Sequence, residues 1–288
     1  MTELTNSSRA SNTRGRALEG PRRLDLGAVS VVIPVKNNQA GLDRLLASLS
    51  PLKLLEVIIV DNNSAAPIRL SEGSSETPMR VVLGSEPGPA AARNTGARHV
   101  AGEWLLFLDS DCTVSSDLLL RYAKAIDGSL AYTGGIRASD RGPVGRFYDR
   151  HSVLAPPRDD HGSIYVVTAN ALVWRPAFDA VDGFDESFQL AAAEDVDIGV
   201  RLGEIGRLGF VGDACVDHDY GGLVAFGRRF WRYGRGNIRL AAKYGGEWGR
   251  PASVWQERSI TGLLLASVRL VAFSLGQQHE MVVGHRSS

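Results

Sequence analysis

The strongest constraint on the fold is a short apolar run that ends in two carboxylates. Residues 104–108 read Trp-Leu-Leu-Phe-Leu without a polar interruption, and Asp109-Ser110-Asp111 follows directly. A run of this length, bounded by polar residues, is typical of a strand that is buried on both faces of a sheet. In open α/β sheets, ligands bind at the carboxyl ends of the strands, where the two acids would lie. The sequence therefore predicts a polar site after this strand.

The two acids of this site have two interpretations. Acidic side chains one residue apart repel each other unless a cation lies beside them. Asp109 and Asp111 are therefore predicted to bind a divalent metal ion that carries a phosphorylated ligand. Alternatively, Asp109-Ser110-Asp111 only forms the turn that closes the strand, because Asp and Ser are common turn residues. The motif alone does not decide between them.

The flanking sequence predicts an alternation of strands and helices. Strands are predicted at residues 29–34, 56–60, 80–83, 130–135, 164–167 and 208–211, and helices at 42–49, 89–98, 118–126, 194–205 and 226–239. This alternation indicates an α/β fold with a mostly parallel, Rossmann-like sheet, right-handed crossovers and helices on both faces. Residues 137–162 are weakly patterned and are predicted to be a loop over the site.

The composition limits the classes of protein. The chain has 288 residues, with 32 Lys plus Arg and 32 Asp plus Glu, so no overall field favours nucleic acid. The two cysteines form no disulfide framework, which suits a reducing cytosol. Residues 1–27 are rich in Ser, Thr, Asn, Gly and Arg and are predicted to be a disordered leader. The main domain is predicted over 28–245, followed by a C-terminal helical extension and tail over 246–288.

The C-terminal extension contains an apolar segment. Residues 260–275 are apolar apart from small polar residues and Arg269. The segment is shorter than the roughly 20 residues that span a bilayer, which favours a packed helix over an interfacial one. A peripheral membrane contact through the C-terminal helices stays open at this point.

Several motifs, taken in order, resemble the family 2 glycosyltransferases of the GT-A fold. The matching stretches are Val31-Val32-Ile33-Pro34, Val57-Ile58-Ile59-Val60-Asp61, Ala92-Arg93-Asn94-Thr95-Gly96, Leu108-Asp109-Ser110-Asp111, Gly183-Phe184-Asp185, Glu194-Asp195-Val196-Asp197 and His218. They extend over residues 29–240, which is most of the chain. Each stretch is a weak signal alone, and the ordered set carries the resemblance.

The resemblance implies an inverting transferase that takes a sugar from a nucleotide diphosphate, most often UDP. By position, Asp61 would lie near the base, Asp109 would face the ribose and Asp195 would be the catalytic base. Pro34, Asn37 and Arg93 would complete the nucleotide pocket, Asp111 and His218 would hold the metal, and Asn170, Glu194 and Arg232 would lie on the acceptor or donor side.

The chemistry of the reaction agrees with this resemblance. A diphosphate leaves poorly unless its growing charge is neutralised, and a hard divalent ion does that as a Lewis acid. An imidazole ligand such as His218 shifts the preference from Mg²⁺ towards Mn²⁺. The predicted cofactor is therefore a divalent metal, Mn²⁺ or Mg²⁺. Inversion then needs one carboxylate to take the proton of the acceptor.

Three of these residues also have plain structural interpretations. His218 taken alone is more often a hydrogen-bonded structural histidine than a metal ligand. Arg93 could pair with a surface carboxylate instead of a nucleotide. Asp197 is predicted to be an exposed or capping residue of its helix.

The chain departs from the processive members of the family. In place of their Gln-x-x-Arg-Trp run it has Arg228-Arg229-Phe230-Trp231-Arg232, and no membrane-spanning helices are predicted after it. We therefore expect a single sugar transfer to a small-molecule, glycan or lipid-linked acceptor. The expected location is the cytoplasm or the inner face of the membrane, with no nucleic acid partner.

Two competing functions stay open. A sugar-1-phosphate nucleotidylyltransferase would need a Gly-rich loop after the first strand, and residues 34–38 contain no glycine. A nucleotide-sugar-binding module that has lost its chemistry is the other alternative, because a fold alone does not imply a function.

Overall fold

The computed structural model describes residues 17–70, 76–159, 162–246, 248 and 259–284. Its strands are β1 Val29–Val35, β2 Glu56–Asp61, β3 Met79–Leu83, β4 Trp104–Leu108, β5 Cys112–Val114, β6 Ala131–Ala138, β7 Arg158–Asp159, β8 Gly162–Ser163, β9 Asn170–Trp174 and β10 Leu208–His218. Its helices are α1 Gln39–Leu49, α2 Pro89–Arg98, α3 Leu118–Ala125, α4 Pro143–His151, α5 Arg175–Ala180, α6 Glu194–Ile205, α7 Leu223–Tyr244 and α8 Ile260–Gly284. The apolar run at residues 104–108, which precedes the two acids, is β4, and all of it is buried.

One large sheet carries the fold, in the strand order β3-β2-β1-β4-β9-β6-β10-β5. Strands β3, β2, β1 and β4 are parallel, as are β6 and β10. Strand β9 is antiparallel to both of its neighbours, and β5 is antiparallel to the end of β10. The predicted mostly parallel sheet with helices is therefore confirmed. The carboxyl ends of β1, β2 and β4 meet at one edge, because these strands are parallel and adjacent.

Helices cover both faces of the sheet. Val31 and Ile33 of β1 join one apolar cluster, and Val32 joins the other, since successive strand residues face opposite sides. The first cluster includes the buried faces of α1 and α3, and the second includes those of α2, α5 and α6. These two layers fix the strand ends, where the polar residues of the sequence motifs lie.

The sequence placed one strand wrongly. Residues 164–167 are not a strand, and the strand lies instead at β9, residues 170–174. Val166 and Val167 are nevertheless buried. An apolar run only reports burial, so periodicity cannot separate a buried connection from a neighbouring strand. Strand β10 is also longer than predicted, because it continues through an irregularity between Val211 and Cys215.

The predicted loop over residues 137–162 is wrong as well. It contains α4, whose Phe147 and Tyr148 are buried in a third apolar cluster with Phe226 and Phe230 of α7. Charged residues dominate the exposed side of α4, so the sequence has too few apolar positions there to indicate a helix. The segment is a packed element beside the sheet edge.

Part of the predicted leader belongs to the folded domain. Residues 1–16 lie outside the described part of the chain. Leu18 donates a backbone hydrogen bond to Ile205 at 2.7 Å, and Gly20 donates one to Gly128 at 2.9 Å. The prediction of disorder is therefore wrong for residues 17–27, which run along the domain.

Helices α7 and α8 form a closely packed parallel pair. Gly227 lies against Val268 near one end, and Arg239 donates to Glu280 at 2.6 Å near the other. A Cβ atom at Gly276 would overlap the carbonyl of Trp231, so the backbones approach directly. Glycine is required at this contact because any side chain would separate the helices.

Helix α8 is longer than the predicted apolar segment, which ends at residue 275. The helix continues through Gln277 and Glu280 to Gly284, since neither polar residue breaks a helix. Residues 260–283 are long and apolar enough to cross a membrane by length and composition, with a mean hydropathy of 1.5. Within the described residues, no other helix passes that test.

Candidate functional site

The tips of β1 and β2 are joined by polar side chains. Asp61, the last residue of β2, is buried and accepts backbone hydrogen bonds from Ser64 at 2.9 Å and Ile68 at 3.2 Å. Asn37 donates its N–H to the Ser64 hydroxyl and accepts from the Ala65 N–H. Burial raises the pKa of Asp61, but its hydrogen bonds to Ser64 and Ile68 outweigh that effect and lower it. Asp61 is therefore an ionised residue that shapes the loop it begins.

The loop after β1 is also tied to the acidic turn. Pro34 is half-buried in β1 and pairs in register with Val60 of β2. Asn38 caps α1 by accepting from the Gly41 N–H, and its amide donates to the Ser110 hydroxyl at 3.2 Å. Asn38 thus connects the end of the first strand to the turn between Asp109 and Asp111.

A short strand brings His218 to this acidic turn. The Cys112 N–H donates to the Asp109 carbonyl at 3.1 Å, which closes the turn and starts β5. Strand β5 pairs with the end of β10, where His218 is in register with Cys112. His218 Nε2 consequently lies 3.5 Å from Asp111 Oδ1. The structure thus brings together two residues that the sequence separates by more than a hundred positions.

The residues at this turn fit a divalent metal ion. Ligand atoms of Asp111, Cys112 and His218 all lie within 4.8 Å of one another. A carboxylate and an imidazole suit Mn²⁺. Burial raises the pKa of the Cys112 thiol well above its usual value, so this thiol stays protonated and is a poor ligand. Burial also raises the pKa of Asp111, which the neighbouring His218 and Arg229 oppose. We therefore assign Asp111 and His218 as the candidate metal-binding pair.

Aromatic rings and one arginine pack behind His218. Tyr220 stacks on His218 with ring centroids 4.5 Å apart, and Tyr148 stacks on Tyr220 at 3.8 Å. The Arg229 guanidinium lies 5.3 Å and 5.5 Å from the two tyrosine rings, and its Nη2 is 4.0 Å from Asp111 Oδ2. No sequence motif indicated either tyrosine. Tyr220, two residues after His218, carried a weak signal, and Tyr148 lay in the segment predicted as a loop.

A buried arginine connects the acidic turn to the start of α6. Arg93 Nη2 donates to Asp109 Oδ1 at 2.7 Å, and Arg93 Nη1 donates to Glu194 Oε1 at 2.9 Å. The Arg93 side chain is 4% exposed, so it offers almost no surface to a nucleotide. The predicted direct nucleotide contact therefore lacks support in this arrangement. Arg93 instead pairs with two carboxylates, one of which is itself buried.

Asp195 lies at the first turn of α6, beside this ion pair. Its Oδ1 accepts a hydrogen bond from the Val196 N–H at 2.9 Å. Burial raises the pKa of Asp195 to about 7; the neighbouring Glu194 adds to the rise and Arg93 opposes it. A carboxylate with a pKa near neutrality can take up a proton at physiological pH. Asp195 therefore has the protonation behaviour of a general base.

The start of α6 is a strained position. Ala193 has φ 80°, in the left-handed region that residues other than glycine rarely adopt. Such conformations persist only where the surrounding structure enforces them, and they often occur at functional sites. Gly236 of α7 packs directly on Ala192 and Ala193, with no room for a Cβ atom. Helix α7 thus supports the turn that carries Asp195.

Asn170 and Arg232 are both predicted to lie beside the substrates, and their surroundings differ. Asn170 is fully buried, accepts from the Tyr122 hydroxyl at 2.8 Å and donates to the carbonyls of Ala214 and Gly135. It thus exposes no surface to a substrate, and its place on the acceptor or donor side stays a prediction that this burial does not support. Arg232, predicted for the same side, is half-buried on α7, and its Nε has no partner among the described residues.

Asp197 has a different role from the one predicted. It is fully buried instead of exposed, and it accepts from Arg201 at 2.7 Å, from Lys243 at 2.5 Å and from the Tyr244 hydroxyl at 2.7 Å. Its i+4 partner was visible in the sequence, but Lys243 and Tyr244 at the end of α7 were not. Asp197 therefore locks the helix that carries Asp195 to the end of α7.

The Gly183-Phe184-Asp185 motif is held from α2. Asn94 accepts from the Phe184 N–H at 2.9 Å and donates to the Phe184 carbonyl at 2.8 Å. Gly183 has φ 64° and lies against the Asn94 side chain, so a larger residue would be strained and crowded there. Packing against Asn94, the residue after Arg93, thus accounts for Gly183 and Phe184 of this motif.

Comparisons with known proteins place this fold in a class. The fold resembles the mannosyltransferase PcManGT from Pyrobaculum calidifontis, described in complex with GDP-Man and Mn²⁺, with TM-score 0.56 and 16% identity over 93% of this chain and 78% of that one. It also resembles S. aureus TarS 1–349 in complex with UDP-GlcNAc, with TM-score 0.51 and 16% identity over 77% of this chain and 68% of that one. At such identities the likeness shows the fold alone. The sheet and its helices are therefore those of the GT-A class.

The sequence comparisons identify the family. The model for glycosyl transferase family 2 matches residues 30–181. A pre-mycofactocin glycosyltransferase of Mycobacterium tuberculosis is 36% identical over 219 residues, which are 71% of this chain and 45% of that protein. The chain thus spans about half the length of that curated relative. This chain belongs to glycosyl transferase family 2.

Proposed function

We propose that the chain is an inverting glycosyltransferase that moves one sugar from a nucleotide diphosphate sugar, a UDP-sugar, to a hydroxyl or amine acceptor. The observation that carries the proposal is Asp195, whose carboxyl group has a pKa of about 7 in the same site as the acidic turn at the tip of β4. Family membership and the Asp111–His218 pair support it. A binding module that has lost its chemistry would have no need for a carboxylate tuned to neutral pH.

The proposed mechanism assigns one task to each part of the site. The Asp195 carboxylate takes the proton of the acceptor while the acceptor oxygen or nitrogen attacks the anomeric carbon. The bond between that carbon and the diphosphate oxygen breaks on the opposite side, and its electron pair leaves with the nucleotide diphosphate. The proton ends on Asp195, and the configuration at the anomeric carbon inverts.

The leaving diphosphate needs positive charge beside it. A divalent metal, Mn²⁺ or Mg²⁺, when held by Asp111 and His218, supplies Lewis-acid stabilisation of this leaving group. Arg229 adds a fixed cation 4.0 Å from Asp111. The nucleoside would lie over the tips of β1 and β2, where Pro34, Asn37 and Asp61 form the edge of the sheet. Asp109 would face the ribose.

The test of this function is a panel of nucleotides and nucleotide sugars with Mn²⁺. A ligand that binds only the native state stabilises it, by about 2.7 kcal/mol at a hundredfold excess over its Kd. We expect UDP to raise the Tm more than ADP or GDP, and we expect UDP-sugars to release UDP slowly in the presence of Mn²⁺. Asp61→Ala should remove much of the preference for UDP. Equal shifts with all three nucleotides would contradict a uridine pocket, and the absence of UDP release with every donor would contradict the transferase.

We further infer a peripheral contact between α8 and a membrane, which suits a lipid-linked acceptor at the inner face. The outer face of α8, formed by Ile260, Leu264, Val271, Leu275 and Val282, is exposed and apolar. The charged residues of this helix, Arg269 and Glu280, are buried instead. Helix α4 packs against α8 and exposes Arg146, and Arg141 is exposed just before the helix; both cations favour an anionic lipid surface.

The packing of α8 favours a surface contact over a membrane span. Its inner side is bound along α7, where Arg235 and Arg239 pair with Glu280 at 2.6 Å. A helix held along a charged neighbour can bury only its outer face in the interface.

Co-flotation with vesicles that contain anionic lipid tests this contact. Leu264→Glu and Val271→Glu should abolish flotation, whereas Leu83→Glu, at an exposed apolar position on β3, should not. A dimer in solution that these α8 variants dissociate, without flotation of the wild type, would assign the face to a second copy instead.

A further inference from the structure

Arg93 lies on a tightly packed helix, between the acidic turn after β4 and the start of α6. Residues 90–97 of α2 are buried, and a Cβ atom at Gly96 would overlap the Val32 side chain, so the helix lies directly on the sheet. From this position the guanidinium reaches Asp109 after β4 and Glu194 at the start of α6. Its carbon lies 5.7 Å from the centre of the Phe184 ring. Arg93 therefore connects the strand tip of the donor side to the helix that carries Asp195.

The junction that Arg93 holds would be weak without it. Ala193 enters α6 in the left-handed region, and Glu194 is the first residue of the helix. Glu194 Oε2 and Arg93 Nε are both buried and have no hydrogen-bond partner among the described residues. Arg93 thus compensates the negative charge of the Glu194 carboxylate through one hydrogen bond, from Nη1 to Oε1. Removing the cation would leave this carboxylate buried and unpaired.

We propose that Arg93 is a positioning residue, whose fork between Asp109 and Glu194 fixes the first turn of α6 and thereby sets the direction of the Asp195 carboxylate within the site. It acts through these carboxylates and does not touch the nucleotide. The inference rests on the proposed function, because Asp195 needs a reaction to catalyse. A planar guanidinium suits this role, since it donates to two carboxylates at once in a fixed geometry, which an ammonium group cannot do.

This role predicts a particular set of kinetic effects. Arg93→Met should change the Kd of UDP with Mn²⁺ by less than about threefold, while kcat for UDP release or transfer falls by about 10- to 100-fold. The acid limb of the kcat–pH profile should move to higher pH, because Arg93 opposes the rise in the pKa of Asp195. Arg93→Lys should return the limb towards its wild-type position, yet leave kcat reduced, since it restores the charge without the fork.

Arg98→Met is the matched control. Arg98 lies on the same helix with an exposed side chain. The Arg98→Met variant should therefore leave both kcat and the acid limb of the kcat–pH profile unchanged. A loss of UDP affinity of about tenfold or more in Arg93→Met, with the acid limb unmoved, would make Arg93 a nucleotide ligand and overturn the proposal. An unchanged kcat and pH profile would overturn it as well.

A stability measurement separates this proposal from the proposed function. The Tm of the wild type, Arg93→Met, Glu194→Gln and the double variant should form a non-additive cycle, because Glu194→Gln removes the carboxylate that Arg93→Met leaves unpaired. Additive changes in Tm would contradict the link. If the wild type releases UDP from no donor, the proposed function fails, whereas the cycle still tests the connection. Should Arg93→Met not fold, Arg93→Lys replaces it in the cycle.

Discussion

The candidate site contains two pairs of acidic residues, and the negative charges of these acids are compensated in different ways. The start of α6 carries Glu194 and Asp195, and the tip of β4 carries Asp109 and Asp111. One acid of each pair, Glu194 and Asp109, has the Arg93 guanidinium at 2.9 Å and 2.7 Å, so the chain itself neutralises these two acids. Within the described part of the chain, the basic side chains that pair with Asp111 are His218 at 3.5 Å and Arg229 at 4.0 Å. The longer distances leave Asp111 as the acid with capacity for a further cation.

The difference separates binding from catalysis. Asp111 sits in an incomplete charge environment that a metal ion and a diphosphate would complete. Asp195 sits in a different environment, where burial and Glu194 favour the neutral carboxyl group and Arg93 opposes them. One acid therefore suits a ligand role, and the other suits proton transfer. Substitutions on the two sides should have distinguishable effects.

The largest expected effect follows from the removal of the base. Asp195→Asn should lower the rate of sugar transfer by about 10²–10⁴, since a general base contributes that much. The Kd of UDP should stay within about threefold, because Asp195 faces the acceptor. Transfer rates and UDP binding are measured on the same preparations, with Asp179→Asn on the exposed side of α5 as the control. Transfer at the wild-type rate would remove Asp195 from the mechanism.

The next effect lies on the metal side. Asp111→Asn should abolish the Mn²⁺ dependence of UDP binding. His218→Ala should lower the affinity for Mn²⁺ by at least about tenfold, since substitutions of residues that only orient a metal ligand already lower metal affinity by about 10- to 100-fold. Cys112→Ser is the control, because the protonated thiol is a poor ligand and serine preserves its size. Calorimetric titration with Mn²⁺ in the presence of UDP measures all three. An unchanged affinity in His218→Ala would return this histidine to a structural role.

A smaller effect concerns pH. Because Asp195 must be ionised to accept a proton, kcat should fall as the pH drops below about 7, the pKa of its carboxyl group. Glu194→Gln should move this acid limb to lower pH, since the Glu194 charge raises the pKa of Asp195. The Arg93 variants above should move it the other way. A limb near pH 4 in the wild type would mean that the base is not Asp195.

The smallest effect is on stability. The pKa of Asp195 is raised from 3.8 to about 7 in the folded protein, so folding favours its neutral form. The stability that this neutral form contributes is present below pH 4 and is lost as the pH rises through 7. Without metal or nucleotide, Asp195→Asn should therefore have a higher Tm than the wild type at pH 8, by a few °C, and no advantage near pH 4. Equal Tm differences at both pH values would contradict the raised pKa.

The sequence determined the half of the fold that local patterns describe. Strands β1, β2 and β4 and helices α1 and α2 lie where the apolar periodicity predicts them, because each is bounded by turn or cap residues. Parallel strands place their carboxyl ends at one edge, so Asn37, Asp61 and Asp109 could be assigned to that edge in advance. The family resemblance, now confirmed, rests on the same motifs.

The tertiary structure decided the pairings across the site. No local pattern indicates that β5 aligns Cys112 with His218, that Tyr148 lies on a helix stacked against Tyr220, or that Asp197 is buried against the end of α7. Whether Arg93 meets a nucleotide or two carboxylates likewise depends on how α2 and α6 pack on the sheet. Residue types and spacing specify which groups reach the sheet edge, but burial and partners arise only once distant segments are in contact, and these set the charge and protonation of each group.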